Sequence, residues 1–228
     1  MNGSKGHFDL QASEYDQIAE KIIPRYQEML DTLVEAVRFE KTREFTALDL
    51  GAGTGQVTWR IKRRFPGARI TCLDLSPNML EVARERLAPY KDDIDFETGD
   101  FYSYRFKGRY DLVISSLAIH HLKTGRDKKD FFQRVFESLN RGGIFFNADV
   151  VSSPSQTLYE LSMEHWINHM LKTVSKEEVE NKWVPGSKRE DHPSPLPDQL
   201  SWLGEVGFAG VDVVWKLFGL AVYGGFKE

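Results

Sequence analysis

The chain has a single cysteine, Cys72, in 228 residues, so no intrachain disulfide can form, and the count argues against a cysteine-based zinc site. Nowhere do about 18 apolar residues run together, as a membrane span would need. The opening stretch, Met1 to Leu10, lacks the apolar core of a signal peptide. There is no block of like charges long enough to form a nucleic-acid arm, and 30 Lys and Arg against 34 Asp and Glu leave a net charge of −4. These absences predict a cytoplasmic protein that neither crosses a membrane nor seeks a polyanion. What is present, 41% hydrophobic and 28% charged residues, suits one globular domain spanning residues 1–228.

Periodicity supplies the order of elements. Tyr15 to Arg38 has helical spacing, with Ile18, Ile22, Ile23, Tyr26, Met29, Leu30, Leu33 and Val37 on one broad face, and Pro24 suits a break or a helix start there. Phe45 to Leu50 reads as a strand ended by glycines, and Gln56 to Phe65 as a helix stopped by Pro66-Gly67. The unit then repeats. Arg69 to Asp74 is a strand, Ser76 an N-cap, Pro77 the first helical position, and the helix runs to Leu87. Further strands are expected at Ile94 to Glu97, Tyr110 to Ser116 and Gly143 to Val151, the last after an Asn140-Arg-Gly-Gly turn, with a helix over Lys128 to Leu139. Alternating strands and helices predict an α/β fold, a parallel sheet with helices on both faces.

After Ser152 the pattern changes. Leu158 to Lys172 and Lys176 to Trp183 are helical and polar, followed by a passage through Pro185, Pro193, Pro195 and Pro197 and a helix from Asp198 to Val206. The chain closes on two β-rich runs from Val211 with almost no connection between them, which only an antiparallel pair permits. Residues 152–197, with the helical segment 1–44, are expected to form a small helical cap over the substrate.

The strongest motif is Asp49-Leu-Gly51-Ala52-Gly53-Thr-Gly55, at a strand's carboxyl end and leading into a helix, where open α/β sheets bind ligands. A dinucleotide fingerprint would place its third glycine one residue later, where Gln56 stands, so the turn is wrong for a standard NAD site. Two more acids follow strands, Asp74 and Asp100. A carboxylate at Asp74 can accept both hydroxyls of a ribose.

Together these residues resemble the class I S-adenosylmethionine-dependent methyltransferases over Ala47 to Val151 and the terminal strand pair. That resemblance implies a Rossmann-like, seven-stranded, mostly parallel sheet with an antiparallel last strand. It implies S-adenosylmethionine as cofactor and S-adenosylhomocysteine as product. The turn Asp49 to Gly55 would underlie the methionine part, Asp74 would hold the ribose, and Leu75 and Met79 would flank the adenine. Asp100 would meet the adenine amino group with Phe101 beside the ring, and Ser115, Ser116 and Leu117 would face the methionine and methyl groups. The remaining alternatives are an NAD-type oxidoreductase, disfavoured by Gln56 and the terminal hairpin, and a cofactor-binding module that transfers nothing.

His120 and His121, in Ala118-Ile-His-His-Leu122, follow the fourth strand on the expected acceptor side and are the candidate catalytic residues, histidine titrating near neutrality. His165 and His169 stand four apart on an expected helix, a spacing that metal sites use, but no third ligand is evident beyond a fold-back of Glu164, Asp191 or His192, and no metal is expected. They are assigned instead, with Tyr15, Tyr26 and Trp166, to the substrate pocket, and Trp183 and Trp202 extend the same aromatic group. The arrangement is similar to small-molecule methyltransferases of bacteria and archaea. The insertion is also laid out like that of tRNA wobble-uridine enzymes using carboxy-S-adenosylmethionine. Trp183 and Val184 fall where those enzymes carry an arginine, however, and the nearest basic pair, Lys188-Arg189, lies several residues on. A small-molecule acceptor is therefore expected, nucleic acid is not, and an exposed apolar cap would serve a homodimer.

Overall fold

The computed structural model describes residues 14–228. The reading of Met1 to Leu10, and the first part of segment 1–44, lie outside those residues. Seven strands form one sheet in the order β3-β2-β1-β4-β5-β7-β6: β1 Phe45–Leu50, β2 Ala68–Asp74, β3 Ile94–Thr98, β4 Tyr110–Ser116, β5 Leu139–Val150, β6 Ala209–Leu217 and β7 Leu220–Lys227. The first five pair in parallel, and β7 runs antiparallel to both β5 and β6. The β6–β7 link is the two-residue turn Phe218-Gly219, with Phe218 left-handed at φ +47°.

Strand order reverses between β1 and β4, because the chain leaves β1 toward β2 and β3 and returns to β4 on its other side. The carboxyl ends of these two strands therefore diverge and leave a crevice. β1 is buried at five of its six positions, as a central strand covered on both faces must be.

Pro24 breaks the N-terminal helix as expected, giving α1 Tyr15–Ile22 and α2 Tyr26–Glu35, with Arg25 between them at φ +55°. The second of these buries Met29, Leu30, Leu33 and Val34 against the sheet; each such side chain contributes about 1.5–3 kcal/mol when fully buried. Helices α3 Gln56–Arg64 and α4 Pro77–Arg86 follow β1 and β2. Ser76 caps α4 by accepting the Met79 N–H, and Pro77 begins it.

Three expectations need correction. Helix α5, Gly125–Ser138, starts earlier than Lys128, because Thr124 and Asp127 form a capping box that satisfies two end donors reciprocally. The Asn140–Gly143 turn is instead part of β5: the register shifts between Tyr110 and Leu112, and Gly142, at φ +77°, absorbs the irregularity. Pro185 lies within a helix, not in a proline-rich connection. Helix α6, Gln156–Met170, is followed by α7 Lys176–Glu178, a π-turn Val179–Trp183 and α8 Val184–Glu190, with Pro185 at the junction where the π-turn passes into α8. Helix α9, Leu196–Val206, leads into β6. Among the described residues no helix is long and apolar enough to cross a membrane.

Candidate active site

The crevice at the sheet's carboxyl edge is a cleft of about 540 Å³, within the range of small-molecule sites. The turn after β1 forms its floor. Gly51, Gly53 and Gly55 all have positive φ, but for different reasons. A Cβ on Gly51 would stand 2.3 Å from that of Ala118, so packing forbids it. A Cβ on Gly53 would meet only the Gly51 carbonyl oxygen, at 4.0 Å, and would project into open space. That vacant volume beside the floor is a cradle that a bound ligand can fill.

Asp74 orders this floor. Its Oδ2 accepts the Gly53 N–H and its Oδ1 the Ser76 N–H, both at 2.8 Å. Both oxygens are acceptors, the chemistry that a ligand diol calls for. Asp100 Oδ1 likewise accepts the Tyr102 N–H at 2.9 Å. Leu117, ending β4, is left-handed at φ +51°, an uncommon state for a branched residue and one that concentrates at functional sites.

Of the expected cofactor residues, the structure brings Gly51, Ala52, Gly53, Asp74, Leu75, Met79, Asp100, Phe101, Ser116 and Leu117 to the cleft wall. Asp49, Gly55 and Ser115 do not line it. Asp49 lies under the turn, with Oδ2 accepting the Thr58 hydroxyl at 2.7 Å and Oδ1 unpartnered. Burial, then the nearby Asp74 charge, push its carboxyl up to about 7 against the opposing Thr58 hydrogen bonds. Gly55 faces Leu87 and Ala83 of the neighbouring helix, and the Ser115 hydroxyl donates to the Leu50 carbonyl inside the sheet.

Tyr15 and Tyr26 also line the cleft, whereas His165, Trp166 and His169 do not. His165 stacks on Phe218 at 4.1 Å, and Trp166 donates its indole N–H to the Ile22 carbonyl at 2.7 Å. This second contact joins α6 to α1, so both rings pack between elements rather than face the cleft. Burial, with the Asp74 and Asp16 charges nearby, holds the Tyr15 phenol well above its usual value, leaving it a neutral donor.

The histidine pair is split between two environments. His121 lines the cleft and His120 is buried behind it, their ring centres 4.0 Å apart. His120 Nδ1 lies 2.5 Å from Asp149 Oδ1; an ionised carboxylate can only accept, so that nitrogen carries the proton. Asp149 also accepts from the His120 N–H, Asn147 Nδ2 and the Val150 N–H. From Asn147 the buried network continues through Tyr223 OH to Gln199 and the Ser194 carbonyl at the edge of the cap. Asp191 arrives from the far end of the insertion, its Oδ1 3.4 Å from His120 Nε2 and 3.6 Å from His121 Nδ1. It is fixed there by the His192 N–H bonded to the His120 carbonyl and by Lys128, which donates to the His192 and Leu122 carbonyls. Burial opposes the charged form of His120, yet the Asp149 and Asp191 carboxylates outweigh it and lift its pKa to about 10. Burial and the adjoining His120 charge depress His121 to about 4.

Residues that the sequence reading did not assign complete the site. Asp149 ends a strand as Asp74 does, and that shared signal could have marked it. Tyr102, Lys123, Thr124 and Asp127 form one wall of the cleft. Tyr102 donates to Asp127 and accepts from the Lys123 N–H.

Comparison with known proteins agrees with this geometry. Residues 47–143 match the family described as a methyltransferase domain. A carboxy-S-adenosyl-L-methionine synthase of Helicobacter hepaticus is 24% identical, over 94% of this chain and 91% of its own. A malonyl-[acyl-carrier protein] O-methyltransferase of Acetivibrio thermocellus is 34% identical over 60% of this chain; the aligned part spans about half of that relative, 46%. The crystal structure of an O-methyltransferase family protein from Burkholderia thailandensis shares the fold, with a TM-score of 0.72 at 18% identity over 97% of this chain and 62% of that one. Fold, turn and domain match make the chain similar to the class I S-adenosylmethionine-dependent methyltransferases. S-adenosylmethionine is the cofactor of that class, and the open cradle at Gly53 beside the Asp74 carboxylate fits it.

Proposed function

We propose that the protein transfers a methyl group from S-adenosylmethionine to a small-molecule acceptor that enters the cleft beside His121. The observation carrying this reading is the ordered carboxylate of Asp74 on the glycine floor at the sheet's switch point. Asp74 holds the ribose, Leu75 and Met79 flank the adenine with Asp100 and Phe101, and Ser116 and Leu117 face the methionine end.

Bound S-adenosylmethionine supplies an electrophilic methyl on a sulfonium. The acceptor's lone pair forms the new bond as the carbon–sulfur bond breaks, and its electrons stay on sulfur. The chain's task is alignment: the floor fixes one reactant, and the cap built from residues 14–44 and 152–197 fixes the other and excludes water. Pre-orientation of two reactants can remove about 7–11 kcal/mol of barrier. His121 stands where the acceptor's nucleophilic atom would lie, and His120, anchored on Asp149, positions it.

The named activities of the relatives, on a malonyl thioester and in making carboxy-S-adenosylmethionine, favour a carboxylate-bearing acceptor or product. Among the described residues no arginine lines the cleft, which favours plain S-adenosylmethionine over a carboxylated cofactor. The buried free thiol of Cys72 suits a cytoplasmic location, and the exposed Leu158 and Leu161 of the cap suit a homodimer.

The test is incubation with S-adenosylmethionine and a panel of small carboxylic acids and hydroxy acids, read by mass spectrometry as S-adenosylhomocysteine together with a methylated product. Tight cofactor binding with no product from any acceptor class would favour a binding module instead.

A further inference from the structure

We propose that His120, His121 and Asp191 bind one divalent transition-metal ion at the acceptor side of the cleft. One ring nitrogen from each histidine and a carboxylate oxygen of Asp191 lie within 4.8 Å of one another. Asp191 Oδ1 is 3.4 Å from His120 Nε2 and 3.6 Å from His121 Nδ1. A direct charge-assisted hydrogen bond would draw such atoms to about 2.7–2.9 Å. Ligands around a tetrahedral ion with bonds of about 2.0–2.1 Å stand roughly 3.3–3.4 Å apart, close to what is seen. Asp191 is therefore spaced from each histidine as a fellow ligand of one ion would be, rather than as a direct hydrogen-bond partner.

The surroundings have the form such a site needs. Asp149 accepts from His120 Nδ1 at 2.5 Å, which turns Nε2 toward Asp191, and the ion takes the place of the proton that Nε2 otherwise carries there, releasing it to solvent. Backbone bonding between residues 120 and 192, and Lys128 across both loops, hold Asp191 in place without touching its carboxylate. In its present contact His121 Nδ1 donates to the Glu190 carbonyl at 3.3 Å, so loading the ion breaks that contact and moves the ring proton to Nε2, which frees the Nδ1 lone pair. Two nitrogens and one oxygen form a borderline donor set suited to zinc, cobalt or ferrous iron rather than to magnesium or calcium.

Three protein ligands leave a position open, and His121 sets it at the cleft wall. An oxygen of the acceptor would fill that position, and the ion would lower the pKa of a hydroxyl nucleophile there. This last step rests on the methyl-transfer reading, whereas binding of the ion does not.

The test is calorimetric titration of chelator-treated protein with Zn²⁺, and visible spectroscopy with Co²⁺, both without S-adenosylmethionine or acceptor. One ion per chain and the intense visible bands of low-symmetry Co²⁺ are expected. Asp191→Asn and His121→Gln should weaken binding at least tenfold, and Asp149→Asn about 10- to 100-fold, while His165→Gln leaves it unchanged, with folding of each variant checked by circular dichroism. No stoichiometric uptake by the unaltered protein would overturn the proposal, as would variants at 121 and 191 that bind as tightly as it does. Because the cofactor is absent from both titrations, failure here is separate from failure of cofactor binding.

Discussion

Oδ2 of Asp74 accepts the N–H of Gly53 at 2.8 Å, which ties the acid ending β2 to the turn that ends β1. One carboxylate thus shapes the floor from beneath the turn. Asp74→Asn keeps the side chain's size but removes the charge and sets an amide NH2 against one of the two backbone N–H groups that the carboxylate accepts. Hydrogen bonds to charged groups contribute about 1.5–3 kcal/mol, so cofactor affinity should fall about 10- to 100-fold, measured by calorimetry. Unchanged affinity would mean that the ribose is held elsewhere.

Gly51 and Gly53 separate the needs of the fold from those of the ligand. Gly51→Ala forces a methyl against Ala118 and should lower the unfolding temperature with or without cofactor. Gly53→Ala meets open space, so its cost to the free protein is the left-handed backbone, about 1–2 kcal/mol, with a further loss confined to cofactor binding. Equal effects of both on the free protein, with affinity preserved in Gly53→Ala, would contradict the cradle.

Helix α1 is fastened to the same floor. Asp16 accepts the Thr54 hydroxyl at 2.6 Å and the Gln56 amide at 2.9 Å, and pairs with Arg86. Asp16→Ala should raise hydrogen exchange in α1 while leaving β1 and β4 protected, and should speed cofactor release severalfold. Exchange in α1 that did not change would show that the cap is held by α6 instead.

Asp49 predicts a dependence on pH. Its carboxyl is held near 7 by burial, above its unfolded value, so the native state binds the proton more tightly than the unfolded chain. The resulting stability is full below about pH 4 and is lost as pH rises through 7. Asp49→Asn should match the unaltered protein at acid pH and exceed it at pH 8, seen as a flatter curve of unfolding temperature against pH. Parallel curves would contradict the assignment.

The sheet was legible because most strands are apolar runs with turn residues nearby; Phe45–Leu50, closed by Gly51, and Tyr110–Ser116 fall where the pattern puts them. Local chemistry hid the rest. The capping box at Thr124 and Asp127 and the strand irregularity at Gly142 depend on side-chain and backbone geometry that periodicity does not register. Within the site, residues after strands were readable because topology alone sends them to one edge. Asp191 was not readable as a partner of His120, since only the fold of the insertion brings it there. His165 and His169 show the converse, a suggestive spacing that packing turns away from the cleft.

The central claim is that the cleft binds S-adenosylmethionine, and thermal unfolding with S-adenosylmethionine, S-adenosylhomocysteine or NAD tests it most directly. A ligand at about 100 times its dissociation constant adds about 2.7 kcal/mol, a rise of several degrees for a chain of this size. Stabilisation by both sulfur compounds and not by NAD is predicted. Stabilisation by NAD alone, or by none of the three, would contradict the account.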